Sequence, residues 1–490
     1  MESKEDHHCA WRVEAMELRA LLQDVRAHLS AVEAELAALK RATYGKKSER
    51  VSSGKVTEAP PKIEDPAATQ RKRKERAQTK SALPKVRIDH KLPPDAACPN
   101  CGRKALQPMG SKISTIFECE PERVVQQQHV QETRVCICGS GVVTAEGPPK
   151  VIAQGRYGPV FIAQLVVNKS ADSMPLYRQA QRYARMGIPI GRSTLTDLYH
   201  LAARTLRPLH ALLVASVKKH DLVQADETPI SVLQKGKCRR AYMWTFVTSD
   251  SVVYQFSATR AGETPVRVLG KAVSGNKYLI VDGYTGYNSV SAVEGWKRCG
   301  CNAHARRKFY EAMATAPEAK EAVDIYREIW LVEAEAKASN KYGTPEHHAL
   351  RQTRSKPAMD KLHAWMLERQ KLHPPKTTLM GQAIRYAINA WSALTAFLAD
   401  PRIPVDNNAS ERALRVVALF RKASLFLGHD VSGDNHAALM SLIATCVLHG
   451  RNPVEYLADV LVRVQDYPAA RLAELLPQNW APASVMAAAA

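Results

Sequence analysis

Two short apolar runs that each deliver an aspartate constrain this chain more than any other feature. Residues 222–225 lead straight into Asp226-Glu227-Thr228-Pro229, and Tyr278-Leu279-Ile280-Val281 ends at Asp282. Between them, residues 241–248 and 251–256 read as two further strands and residues 263–269 as a helix. Strand, strand, strand, helix, strand is the order of an α/β sheet, and the carboxyl ends of such strands are where ligands and metals collect. Either aspartate alone is better explained as a turn former or a helix cap. Two of them in this order predict a site.

A third acid completes the set. Two carboxylates hold magnesium weakly, whereas a third from a helix facing the same edge lets two ions bridge one phosphate. Asp406-Asn407-Asn408-Ala409-Ser410-Glu411-Arg412 offers it, with Asn or Asp capping a helix through Phe420 and Glu411 in its opening turns. The helix dipole also favours a glutamate there without any chemistry.

The 490 residues predict about three structural units. Apolar residues make up 45% and charged residues 24%, proportions that argue against a disordered, collagen-like or membrane-embedded chain. No window reaches the ~18 uninterrupted apolar residues of a membrane span. The opening Met-Glu-Ser-Lys-Glu-Asp-His-His lacks the apolar core of a secretion signal, so a reducing cytoplasm is expected and the cysteines read as thiols or metal ligands. Charge is more informative: 69 Lys and Arg against 48 Asp and Glu give a net +21. Such an excess favours a polyanionic partner, nucleic acid first, over a charge that merely aids solubility.

Ahead of the acids the chain divides by composition. In residues 1–45, Trp11, Ala15, Leu18, Leu22, Val25, Leu29, Val32, Leu36 and Leu39 mark the seam of a heptad repeat, a predicted coiled coil. Its partner is a second copy, another protein or a helix of the same chain. Residues 46–95 form a basic, proline-rich linker in which Arg71, Lys72, Arg73 and Lys74 can track a phosphate backbone. Residues 96–150 form a small Cys-rich, zinc-finger-like module. Cys98 and Cys101, in a Cys-x-x-Cys turn, pair with Cys136 and Cys138 around a structural zinc, with Cys119 or His129 as substitute ligands. Residues 151–220 are helical and have a helix-turn-helix-like shape, with Ser193 as an N-cap and a second helix that could enter a DNA groove.

Four ordered motifs carry a resemblance. Asp226-Glu227-Thr228-Pro229, Asp282-Gly283-Tyr284-Thr285-Gly286-Tyr287-Asn288, Cys301-Asn302-Ala303-His304-Ala305-Arg306-Arg307-Lys308-Phe309 and the stretch from Asp406 to Arg412 together resemble the bacterial insertion-sequence transposases of the IS66 family. The likeness spans nearly the whole chain, from Tyr44-Gly45-Lys46-Lys47-Ser48-Glu49 to Asn452-Pro453-Val454-Glu455-Tyr456-Leu457. It implies an RNase H-like catalytic domain over residues 221–465 whose DDE triad falls on Asp226, Asp282 and Glu411, followed by a tail over 466–490. The gap from Asp282 to Glu411 is more than twice that between the aspartates, and residues 311–398 are rich in Ala, Glu, Lys and Leu, so a helical insertion is predicted there. The chain departs from the family pattern at Asn302, where Trp is expected, at Ala423-Ser424, where Asn-Trp is usual, and at the Cys-x-Cys pair. None of these touches the triad.

The expected chemistry is phosphodiester cleavage and strand transfer by two magnesium ions, replaceable by manganese, on Asp226, Asp282 and Glu411. His304, which resembles the Cys-x-x-His element of several DDE transposases, is a candidate DNA contact with Arg306, Arg307 and Lys308. A buried histidine and a plain salt bridge are the alternative. Arg412, Arg415, Arg421 and Lys422, on the helix of Glu411, are candidate backbone clamps. The expected partners are double-stranded DNA, as terminal repeats and target, and a second copy through the coiled coil; the resemblance adds companion insertion-sequence proteins. The bacterial cytoplasm, at the nucleoid when bound to DNA, is the expected location. A catalytically inactive, transposase-derived DNA-binding protein or repressor is the alternative, against which the intact carboxylates argue. A nuclease that cleaves without joining is the third reading.

Overall fold

The computed structural model describes residues 155–270, 277–293, 295–374 and 376–482, with His129, Thr133–Val135, Val142–Thr144 and residues 149–152 ahead of them. The coiled coil, the basic run Arg71 to Lys74 and the cysteines Cys98, Cys101, Cys136 and Cys138 lie outside the described residues.

β1 (Thr133–Val135) and β2 (Val142–Thr144) pair antiparallel. Four helices follow: α1 (Pro159–Ser170), α2 (Leu176–Arg185), α3 (Arg192–Thr205) and α4 (Arg207–Val217). α3 starts earlier than the sequence predicts. Gly191, in extended backbone, holds the cap position, and Ser193 lies inside the first turn.

The sheet comes next. It comprises β3 (Leu222–Gln234), β4 (Lys237–Val247), β5 (Val252–Ser257), β6 (Tyr278–Val281) and β7 (Lys297–Gly300), with α5 (Glu263–Leu269) before β6 and α6 (Asn288–Val293) before β7. The spatial order is β5-β4-β3-β6-β7; β3, β4 and β5 run antiparallel, while β3, β6 and β7 run parallel. β3 is much longer than the apolar run that announces it. It stays paired with β4 as far as Gln234, opposite Lys237, so Asp226 stands within the strand instead of at its end. Pro229 is tolerated because β6 pairs only with residues 222–224 and the bridge to Leu427 takes up only Ser231 and Leu233, leaving that side of the strand without a ladder at Pro229. The Pro229 carbonyl faces this side and accepts a bond from Arg421.

Helices then run to the end of the described chain: α7 (Asn302–Ala312), α8 (Ala319–Ala338), α9 (Pro345–Leu350), α10 (Lys356–Arg369), α11 (Leu379–Asn389), α12 (Trp391–Leu394), α13 (Asn408–Ser424), α14 (Asp430–Leu448) and α15 (Pro453–Arg463). A π-helical turn, Arg351–Ser355, joins α9 to α10. Arg351, fully buried, grips Glu333 of α8 through Nε and Nη2 at 2.8 Å each and also donates to the Phe397 carbonyl at 2.7 Å. Among the described residues, no helix is long and apolar enough to cross a membrane.

Alternation along the strands splits the core. Val223, Ala225, Leu279 and Val281 face a cluster built with α1, α3, α4, α14 and α15. Tyr278 and Ile280 face the opposite way, onto α7, α8, α10 and α11. Ile230 and Val232, farther along β3, pack on Leu414, Val417 and Phe420 of α13. Both faces of the sheet are therefore covered by helices, as the parallel part requires. Residues 469–475 form a 3₁₀ turn, and Leu475, Leu476 and Trp480 join the first cluster.

Candidate active site

The geometry of β3 and β6 brings the two aspartates together. Leu222, Val223 and Gln224 pair with Tyr278, Leu279 and Ile280, and the same offset carried two residues onward sets Asp282 beside Asp226. Both share the parity of Gln224 and Ile280, so they leave the same face of the sheet. That face of β3 receives α13, the helix that carries Glu411. Burial, then Glu227, Asp282 and Glu411 in its neighbourhood, push the Asp226 carboxyl up to about 7, against one favourable bond from the Glu227 N–H at 2.8 Å. Asp282 of the β6 end and Glu411 of α13 therefore both act on Asp226 of β3. Their carboxylate oxygens are the donors a hard divalent cation takes, and a cation bound beside Asp226 would offset the burial and the neighbouring negative charge that raise it.

The backbone around each acid is pinned. Asp282 Oδ1 accepts the Tyr284 N–H at 2.8 Å, an Asx-type turn at the strand end. Arg298 of β7 clamps the same loop, donating to the carbonyls of Asp282 at 2.5 Å and Tyr284 at 3.0 Å. Gly283 is required by a close approach, because a Cβ there would sit 2.6 Å from the Tyr386 ring. Glu411 follows from the start of α13. Asn407 holds the cap position, but its amide reaches across to the Ala225 carbonyl at 2.7 Å, immediately before Asp226. Its backbone N–H donates to Cys301 Sγ at 3.2 Å. Asp406 holds the approach by accepting from the Asn408 amide at 2.8 Å and the Trp330 indole at 3.3 Å. The N-terminus of α13 is thereby tied to both the strand of Asp226 and the end of β7.

Sequence reasoning missed several supports. Glu227, adjacent to Asp226 but on the opposite face, is buried, takes Arg260 Nε at 2.8 Å and accepts the Tyr287 hydroxyl at 2.6 Å. Arg260 also lies over the Tyr284 ring at 3.9 Å, so this ion pair braces the loop after Asp282 from behind. Asn302, read as a departure from the family pattern, is fully buried and bridges the carbonyls of Leu394 and Val405 at 3.0 and 3.1 Å. Asn407 was expected only as a candidate helix cap, and nothing local pointed to the contacts of Asn302 or Arg260.

The candidate DNA contacts distribute unevenly. His304, in the first turn of α7, turns Nδ1 toward Glu411 Oε1 at 3.7 Å. Arg307 is exposed, Arg306 is half-buried, and Lys308 lies over the Tyr386 ring at 4.9 Å. Arg412, Arg415 and Lys422 are exposed along α13. Arg421 instead donates to the Pro229 carbonyl at 2.6 Å and holds α13 on β3.

Comparison with known proteins follows the same stretch of chain. Residues 154–435 match the family described as Transposase IS66 family, and residues 441–478 match the IS66 C-terminal element. The uncharacterized protein y4jD of Sinorhizobium fredii is 32% identical over 488 residues, covering 92% of this chain and 94% of that protein. The uncharacterized protein y4hP of the same organism is 31% identical over 421 residues, covering 80% of this chain and 75% of that protein.

Proposed function

The chain belongs to the IS66 family of transposases, and on that premise we propose that it cleaves the ends of an insertion sequence and transfers the freed 3′-OH strand to target DNA. Asp226, Asp282 and Glu411 are the catalytic carboxylates in this reading, on an RNase H-like core of residues 221–465 with a helical insertion over about 311–398. The neighbourhood of Asp226, where Asp282 and Glu411 add to the burial and the Glu227 charge that raise its carboxyl, supports this reading.

Two magnesium ions held by Asp226, Asp282 and Glu411, or manganese in their place, would supply an activated water and stabilise the leaving 3′ oxygen. The chain's own residues do the rest. Arg298, Asn407 and the Glu227–Arg260 pair keep the acids in register, so little reorganisation accompanies the reaction. In this reading the exposed Arg307, Arg412, Arg415 and Lys422 hold the phosphate backbone, with Arg306, Lys308 and Arg421 as further DNA contacts and His304 beside Glu411. Hydrolysis breaks the bond between phosphorus and the 3′ oxygen, leaving a 3′-OH and a 5′-phosphate. The same site then aims that 3′-OH at a target phosphodiester.

The other regions take supporting roles in this proposal. Residues 1–45 assemble copies, 46–95 and a zinc-stapled 96–150 grip DNA, 151–220 recognise element ends, and companion proteins assist. A labelled element-end duplex incubated with the protein, magnesium and target DNA tests the reading. Joined products are expected. Cleavage without joining would indicate a nuclease, and binding without cleavage, with companion proteins present, would favour the repressor alternative.

A further inference from the structure

We propose that Cys301, His304 and Glu411 form a second, softer metal site, of the zinc class, that shares Glu411 with the three-acid cluster; the sharing rests on Glu411 being the third acid. Each residue offers a ligand atom, and the three atoms all lie within 4.8 Å of one another. Cys301 caps α7 from the end of β7, and His304 follows in the first turn, so the Cys-x-x-His spacing presents thiol and imidazole together. Glu411 meets them from the start of α13.

His304 gives the sharpest sign. Its Nδ1 is buried and has no hydrogen-bond partner, although Glu411 Oε1 stands 3.7 Å away. That separation is too long for a hydrogen bond. It is close to the edge of a coordination tetrahedron, which ligand bonds of about 2.0–2.3 Å set at roughly 3.3–3.8 Å. Cys301 Sγ is buried and already receives the Asn407 N–H at 3.2 Å, the kind of outer contact that orients a metal-bound thiolate.

The donors select the metal. A thiolate and an imidazole favour zinc, cobalt or cadmium over magnesium, and the proton leaves the thiol as the metal binds. Three protein ligands leave a fourth position for water or a phosphate oxygen. Zinc bound here draws Glu411 away from Asp226 and Asp282, so low zinc should inhibit magnesium-dependent cleavage.

Cobalt(II) titrated into the metal-free full-length protein tests the site. The expected result is a sulfur-to-cobalt charge-transfer absorption that is weaker in Cys301→Ser by one thiolate's contribution; the other cysteines are common to both proteins and cancel in the difference. His304→Gln, at a partly exposed side chain, is expected to weaken cobalt binding at least about tenfold. It carries the test if Cys301→Ser does not fold. Zinc should displace the signal, and the ratio of cleavage with zinc to cleavage without it should rise in Cys301→Ser. Identical wild-type and Cys301→Ser spectra, with unchanged affinity in His304→Gln, would overturn the proposal. If Glu411→Gln also abolished cleavage in that case, the triad would stand alone. A Cys301-dependent band in a protein whose Glu411→Gln variant still cleaves DNA would support the metal site and overturn the triad.

Discussion

Asp226 and Glu227 show how two adjacent acids on one strand are held differently. Burial and the neighbouring acids hold its carboxyl at about 7, so the folded chain binds that proton more tightly than the unfolded chain does. By linkage, the folded state loses stability as pH rises from about 4, the ordinary carboxylate value, toward about 7. Asp226→Asn removes the ionisable group, and in chelator-treated protein it is expected to exceed wild-type stability by on the order of 2 kcal/mol above neutral pH. The difference should open across that window and stay constant above it. Urea unfolding at several pH values measures it. A variant no more stable than wild type at alkaline pH would show that burial and the neighbouring acids do not raise Asp226. Glu227 is the contrast: one residue on, it faces the other side of the strand and is satisfied by Arg260 and Tyr287. Burial raises the Glu227 carboxyl too, but there the bonds from Tyr287 and Arg260 work against the rise.

At the scale of elements, the N-terminus of α13 decides where Glu411 stands. Asn407→Ala would leave the buried Ala225 carbonyl unpaired, at about 1–3 kcal/mol, and free the helix start from β3. Cleavage should fall at least about tenfold, because small displacements of a catalytic group are costly, while DNA affinity stays within about twofold. Single-turnover cleavage beside a binding titration checks this; wild-type cleavage would mean that α13 is held by its packing alone. Such ties explain what the sequence could and could not reveal. β4, β5, β6 and α5 were legible because each is a short run with its own period and its own turn signals. The second half of β3 was not, since two acids and Pro229 look like a strand end and only pairing with β4 overrides them. The Asn407, Arg260 and Asn302 contacts join residues far apart in the chain, and no local pattern records them. Composition likewise could not record that Arg421, an expected DNA contact, also holds the Pro229 carbonyl.

Across the described molecule, the helices of residues 319–394 pack on the sheet face that carries Tyr278 and Ile280, two and four residues before Asp282. They are therefore part of what shapes the site, with Tyr386 of α11 closed over Gly283. The net charge of +21 supplies the attraction for a polyanion. The proposed cation-dependent reaction on DNA has one most direct test. Wild type, Asp226→Asn, Asp282→Asn and Glu411→Gln are compared for 3′-OH formation on an element-end duplex with magnesium, each at equal DNA occupancy. Metal-dependent cleavage in wild type and its loss by at least about a thousandfold in all three variants is the expected result. Near-wild-type cleavage by any one of them would contradict the assignment of these three carboxylates as a single catalytic unit.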